Sequence, residues 1–194
     1  MNRLSGTLII MLCSYGLFSQ TTSKPLNHTI FSEKIERVIH DFPNNFRNIT
    51  GEPLLIQAEF ENYSSLVLLP DAQSCVITRY HSLEDTTASW QAFMLRMEDF
   101  EKAQKQYRQL YNQLKDCYLL RTDGSAIYLK GEWHEPREEN VFTTSTLKLE
   151  NDNWPYGDMQ IVVELLYQAG EWLVDIHIDN KKKDDAVGGK KSED

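Results

Sequence analysis

The sequence predicts an α+β domain: an antiparallel β-sheet with two helices on one face, in the order α-βββ-α-ββββ. Two segments have apolar residues at helical spacing, and seven short segments are apolar or alternate apolar and polar residues. Turn residues separate most of these segments. Strands joined by short turns form antiparallel pairs, and each helix buries its apolar stripe against such a sheet.

The two helices are predicted at 30–41 and 100–115. In the first, the apolar residues recur at helical spacing from Ile30 to Ile39, and Pro43 ends the helix. In the second, Asp99 is a good N-cap, and the acidic Glu101 suits the positive end of the helix dipole.

Three strands are predicted between the helices, at 63–69, 75–80 and 90–97. The first ends at Pro70, and a polar turn separates the second from the third. The third segment, WQAFMLRM, also fits a helix that runs on into the residues after Phe100. The strand is the preferred interpretation because Asp99 marks a new helix start.

Four strands are predicted after the second helix, at 126–133, 142–150, 159–167 and 171–178. The segment 159–167 is apolar at successive positions, which predicts a central strand. The segment 171–178 alternates, with Trp172 and Ile176 facing inward and Asp175 and His177 facing outward.

The chain begins with a stretch typical of a secretory signal. Arg3 precedes an uncharged apolar run, Leu4–Phe18, that is shorter than the roughly 20 residues of a membrane span. We expect cleavage near Ser19 or Gln20 and a periplasmic or extracellular protein. An uncleaved anchor is the alternative, and a lipidated Cys13 is disfavoured because Leu12 stands where a small residue is needed.

The predicted organisation is a signal peptide at 1–20, a polar lead-in at 21–28, one α+β domain at 29–179 and a disordered charged tail at 180–194. The formal net charge of −9 argues against nucleic-acid binding, which needs a basic surface to neutralise phosphates. No later segment is apolar enough to predict a membrane span.

Two cysteines follow the predicted signal, Cys75 and Cys117. An even count in an oxidising compartment predicts a Cys75–Cys117 disulfide. Two buried free thiols are the alternative. The sequence contains no CxxC or HxxxH pair of the kind that binds zinc.

The sequence contains no GxSxG, Walker A or GxGxxG motif. The loop NDNWPYGD offers Trp154 and Tyr156 as candidate binding residues, because exposed aromatic side chains often anchor ligands and partners. Asp175 and His177 are candidates for a metal or hydrolytic site completed by an adjacent strand, and the alternative for them is the exposed polar face of an edge strand.

The stretch from Phe46 to Glu52, FRNITGE, follows a helix ending in Asp-Phe and precedes a strand that opens at Cys75. This F-x-N-I-x-G-E pattern resembles a loose group of small exported Bacteroidota proteins of unknown function. The resemblance implies an exported α+β domain and supports the cysteine pair, and it implies no catalytic residues.

We therefore expect an exported, non-enzymatic interaction or ligand-binding domain without a cofactor. Its expected partner is an exported or envelope protein or a small ligand. The alternative is a small hydrolase or metal-dependent enzyme with a site around Asp175 and His177.

Overall fold

The computed structural model describes residues 29–81, 86–150 and 155–180. These residues form a nine-stranded antiparallel sheet and two helices, so the predicted α+β class is confirmed, with more sheet than helix. The helices are α1 (Ile30–Asp41) and α2 (Phe100–Lys115). The strands are β1 (Thr50–Ile56), β2 (Phe60–Ser65), β3 (Ser74–His81), β4 (Thr86–Met97), β5 (Tyr118–Leu120), β6 (Ala126–Gly131), β7 (Phe142–Leu149), β8 (Met159–Gln168) and β9 (Glu171–Asn180).

The strands form two meanders that meet in the middle of the sheet. The order across the sheet is β1-β2-β3-β4-β9-β8-β7-β6-β5, so the last strand of each meander pairs with the other. Along the chain the order is α-ββββ-α-βββββ, with two more strands than predicted. Strand β1 was not predicted because it contains Gly51 and Pro53, which are unfavourable in most strands. An edge strand tolerates a proline that a central strand does not. The three-residue β5 is too short to show a period.

Helix α1 is set at both ends by side chains. Thr29 and Ser32 form a capping box at its start, where the Thr29 hydroxyl accepts from Ser32 N at 3.1 Å. At its end, the buried Asp41 carboxylate accepts from Asn48 N at 2.8 Å and Ile49 N at 3.1 Å. The carboxylate thereby fixes the turns that lead from the helix into β1.

The core is formed by buried apolar residues of the helices and of the sheet. The central strands β8 and β9 contribute alternate residues with no exposed surface. Helix α2 packs against β4 and β6 to β9, and α1 packs against β5 and α2. Burial of each such aliphatic side chain stabilises the fold by about 1.5–3 kcal/mol. The fully buried residues of β8 and β9 are Ile161, Val163, Leu165, Val174, Ile176 and Ile178.

The two edges of the sheet differ. The β5 edge is short, and α1 packs against it, with Leu120 N donating to Glu36 Oε1 at 3.1 Å. The β1 edge is seven residues long, and its last five residues are exposed. A long exposed edge presents unpaired backbone groups to solvent and is a template for another strand.

Strand β9 extends to Asn180, which pairs with Met159. The predicted signal peptide 1–20, the lead-in 21–28 and the tail from 181 onward lie outside the described residues. No helix within the described ranges is long and apolar enough to span a membrane.

Candidate functional site

The predicted aromatic binding loop is described only in part. Trp154 lies outside the described residues, so its role stays a prediction. Tyr156 is half-buried and packs against the core, and burial raises the pKa of its hydroxyl. The Tyr156 carbonyl accepts from Met159 N at 3.0 Å, at the start of β8. At least part of the Tyr156 ring therefore serves packing, which leaves less of it for a partner.

The predicted Cys75–Cys117 disulfide is corrected by the structure, in which both residues are buried free thiols. Cys75 lies on β3, third in the strand order, while Cys117 directly precedes β5, ninth in that order. Along the sheet this is a separation of roughly six strand spacings of about 4.8 Å, whereas a disulfide needs Cα atoms within about 7 Å. Burial raises both thiol pKa values, that of Cys117 to about 12, so neither is a reactive thiolate.

Asp175 and His177 share the face of β9 opposite to the core, as their alternation predicted. The strand is not an edge strand, because it lies between β4 and β8. Glu164 of β8 stands directly opposite Asp175. Gln91 of β4 donates through Nε2 to Asp175 Oδ2 at 3.1 Å. Flanked from both sides, Asp175 is only 7% exposed.

The electrostatics of this group follow from burial. Desolvation, with a smaller contribution from the Glu164 charge, raises the pKa of Asp175 to about 6. Burial also raises the pKa of Glu164 and lowers that of His177 to about 4, so the imidazole is neutral at pH 7. Asp175 is thus a carboxyl that exchanges its proton near neutral pH.

The neighbours of Asp175 and His177 define the chemistry that this face of the sheet offers. Within the described ranges, no cluster of three or more His, Cys, Asp or Glu residues could hold a metal ion. The side chains paired with Asp175 and His177 across the strands supply an amide, a carboxyl and apolar groups, with no hydroxyl or thiol among them: Gln91, Phe93, Val162 and Glu164. The observed arrangement can store a proton.

The open edge formed by β1 carries a cluster of exposed apolar residues. Leu54, Leu55 and Ile56 are consecutive and 59%, 43% and 57% exposed. The register of β1 against β2 shifts before Leu55, and Leu55 and Ile56 then alternate between the two faces, so this edge is apolar on both sides. Exposed apolar residues in a cluster mark interaction sites more often than single ones do.

The backbone of β1 also has hydrogen-bonding groups to offer. Gln57 N donates to Phe60 O at 2.9 Å, which makes these two residues a hydrogen-bonded pair across the β1–β2 turn. Ile56, which is opposite Glu61, is therefore in the non-bonded register, with its N–H and C=O directed away from β2. Those groups face the open edge.

A fourth exposed apolar side chain extends this surface. Leu66, 61% exposed, follows β2, and its N–H donates to Ile49 O at 2.8 Å just before β1. A Cβ placed on Gly51 would lie 3.3 Å from Leu66 Cδ2, so Leu66 adjoins the start of β1. We call these four residues the β1 edge surface: Leu54, Leu55, Ile56 and Leu66.

The hairpin that carries this surface has only negative charges of its own, while Arg79 of β3 donates to Thr50 Oγ1 at 2.8 Å at the start of β1. The hairpin from Thr50 to Ser65 contains Glu52, Glu59 and Glu61 and no Lys or Arg. Glu61 accepts from the Tyr63 hydroxyl at 2.6 Å, whereas Glu52 and Glu59 border the apolar run along the chain. The hairpin thus offers an apolar strand edge that is bordered along the chain by two carboxylates, Glu52 and Glu59.

The β1 edge surface was missed by sequence reasoning because the segment did not read as a strand. The available indication was the run Leu-Leu-Ile between Pro53 and Gln57, which is apolar but too short to show a period. Comparisons with known protein families, with curated proteins and with solved structures found no match for this chain.

Proposed function

We propose that this protein is an exported, non-enzymatic interaction domain that takes up an extended segment of a partner protein along β1. The observation that carries the proposal is the difference between the two sheet edges: α1 packs against β5, while β1 presents three consecutive exposed apolar residues. Extended peptides commonly bind to such edges, where the backbone supplies affinity and alternate side chains supply specificity.

The acidic hairpin identifies the chemistry of the partner. A second copy of this chain would bring its own Glu52 and Glu59 beside those of the first, in a protein of net charge −9. Like charges placed together across an interface suppress association. The partner that fits is an extended apolar segment flanked by Lys or Arg, which would pair its cations with these carboxylates.

The export part of the proposal rests on the apolar stretch Leu4–Phe18, outside the described residues. The absence of GxSxG, Walker A and GxGxxG motifs from the sequence, and of a hydroxyl or thiol among the residues paired with Asp175 and His177, supports the non-enzymatic part of the proposal.

The test is selection from a random peptide library displayed on phage, with residues 21–194 as the target. We expect enrichment of peptides that alternate β-branched or aromatic residues and carry Lys or Arg at their ends. These peptides should not bind the Leu54→Lys/Ile56→Lys variant. Both positions are exposed, so we expect this variant to fold.

The matched control is Ile30→Lys/Val141→Lys, which makes the same charge change at two exposed apolar positions away from β1. It should bind the selected peptides as the unmodified protein does. Enriched peptides that bind both variants equally, or no enrichment at all, would contradict the proposal. So would a homodimer that the β1 variant dissociates, because a second copy would then occupy the edge.

A further inference from the structure

A concave surface, separate from the β1 edge surface, lies beside α2. It is a groove of about 330 Å³ between α2 and the segment that follows β6. Four of its lining residues recur at spacings of three and one along α2, so they form one stripe of the helix. The groove is lined by Arg108, Tyr111, Asn112, Lys115, Trp133 and Glu135.

The aromatic wall of the groove is packed from behind. The Trp133 ring lies 5.2 Å from the Tyr107 ring and 5.1 Å from the Tyr111 ring, measured between centroids. These are the distances of favourable aromatic pairs. Tyr107 is fully buried and its hydroxyl donates to Ser145 Oγ at 2.7 Å, which anchors the cluster to β7.

A single carboxylate joins the aromatic wall to the basic one. Trp133 Nε1 donates to Glu135 Oε2 at 2.8 Å, and the Arg108 guanidinium donates to Glu135 Oε1. The Arg108 Cζ atom lies 5.8 Å from the centre of the Trp133 ring. Glu135 thus fixes the indole and the guanidinium relative to each other.

The backbone of the wall is also held. Tyr111 Oη donates to Gly131 O at 2.9 Å, His134 N donates to Ser145 Oγ at 2.9 Å, and Gln104 Nε2 donates to Pro136 O at 3.0 Å. A site whose walls are tied in place loses little conformational freedom on binding, which favours affinity.

The chemistry of the lining is unusual for an acidic chain. The groove contains two cations, Arg108 and Lys115, against one carboxylate. The Lys115 ammonium lies 5.8 Å from the centre of the Tyr111 ring and makes no ion pair with another described residue. A flat ring could pack on the exposed part of Trp133, while an anion meets the ammonium and the guanidinium.

We propose that this groove binds a small molecule in which a ring carries a carboxylate. Its volume is at the lower end of the range of ligand pockets, about 300–1,000 Å³, which suits a single ring. An aromatic carboxylate and an acidic sugar share this chemistry, since both offer a face for stacking and an anion for the two cations. The site is independent of the β1 edge surface.

The test is titration of the full chain with benzoate and with glucuronate. Binding is monitored through the indole N–H signal of Trp133 in a nitrogen–proton NMR spectrum. Trp133→Phe identifies this signal among the four tryptophans of the chain. Benzyl alcohol and glucose are the neutral counterparts. We expect one of the carboxylates to shift the signal with saturation at millimolar concentration, and its neutral counterpart to bind about tenfold more weakly.

Lys115→Gln should weaken binding of that carboxylate about tenfold, the size expected when a charged hydrogen-bond partner is lost. Lys105→Gln makes the same change at an exposed position of α2 that does not line the groove, and it should leave binding unchanged. Benzoate binding would indicate an aromatic carboxylate, and glucuronate binding would indicate an acidic sugar. Equal binding of the neutral counterparts, no saturable shift, or equal effects of the two lysine substitutions would overturn the proposal.

Discussion

Asp175→Asn should stabilise this protein, and the effect should depend on pH. The Asp175 carboxyl is almost fully buried on the face of β9 opposite to the core, where it faces Glu164 and accepts a hydrogen bond from Gln91. Asparagine has nearly the same shape and retains an oxygen for Gln91. The substitution therefore removes the charge while keeping the packing.

The magnitude follows from the pKa of this carboxyl. Burial, aided by the charge of Glu164, raises this pKa from its ordinary value of 3.8 to about 6, and this rise is opposed by hydrogen bonds from Gln91 and the Met94 backbone and by the charge of Arg96. Above pH 6 the carboxyl is ionised in both the folded and the unfolded protein. Only the folded protein then has a buried charge, and the cost of desolvating that charge lowers its stability. The rise of the pKa from 3.8 to about 6 corresponds to a loss of about 3 kcal/mol in the free energy of unfolding, at about 1.4 kcal/mol for each pKa unit.

The sign of the pH dependence is opposite to that of an ordinary salt-bridged aspartate. As pH falls from 6 towards 3.8, the folded protein takes up the proton first and the penalty disappears. The free energy of unfolding of Asp175→Asn should thus exceed that of the unmodified protein by about 3 kcal/mol at pH 8 and by only about 0.5 kcal/mol at pH 4. His177, whose pKa burial lowers to about 4, is present in both proteins and its contribution cancels in the difference.

The assay is urea denaturation of both proteins at several pH values from 4 to 8. Asp158→Asn is the matched control, because Asp158 is an exposed carboxyl just before β8. It should change the free energy of unfolding little at any pH. Equal stability of Asp175→Asn and the unmodified protein at pH 8, or a loss of stability at every pH, would refute this account of the buried carboxyl.

Three further predictions concern the framework. Denatured, unreduced protein of residues 21–194 should titrate two thiols, from Cys75 and Cys117, and a count of zero would show a disulfide. Gly131→Ala should lower the midpoint of thermal unfolding, because the new Cβ would collide with the Thr146 backbone oxygen, and an unchanged midpoint would contradict this packing. Asp41→Ala should destabilise the protein by about 2–3 kcal/mol, measured by urea denaturation, because buried backbone donors lose their acceptor. Asp41→Ala that unfolds like the unmodified protein would argue against that role.

The helices were the most predictable part of this fold. Their apolar spacing and the caps Thr29 and Asp99 are local features, and both predicted ranges agree with the structure. The alternation of 171–178 likewise placed Asp175 and His177 on one face. These predictions agree with the structure because the spacing of apolar residues within a helix or strand is a property of that segment alone.

The features of most functional interest depend on neighbours that the sequence does not specify. Burial of Asp175 follows from the insertion of β9 between β4 and β8, which only the strand order reveals. The groove on α2 requires Trp133 to meet Arg108, and no local period brings those residues together. The exposure of Leu54–Ile56 likewise depends on β1 being left at an edge without a covering helix.

The most direct test of the central claim is amide hydrogen exchange of β1 with and without a selected peptide. If an extended segment pairs along this edge, the outward N–H of Ile56 should exchange more slowly in the complex, while the exchange of the β5 edge stays the same. Protection confined to other surfaces, with unchanged exchange at Leu54–Ile56, would contradict strand addition at β1 as the basis of function.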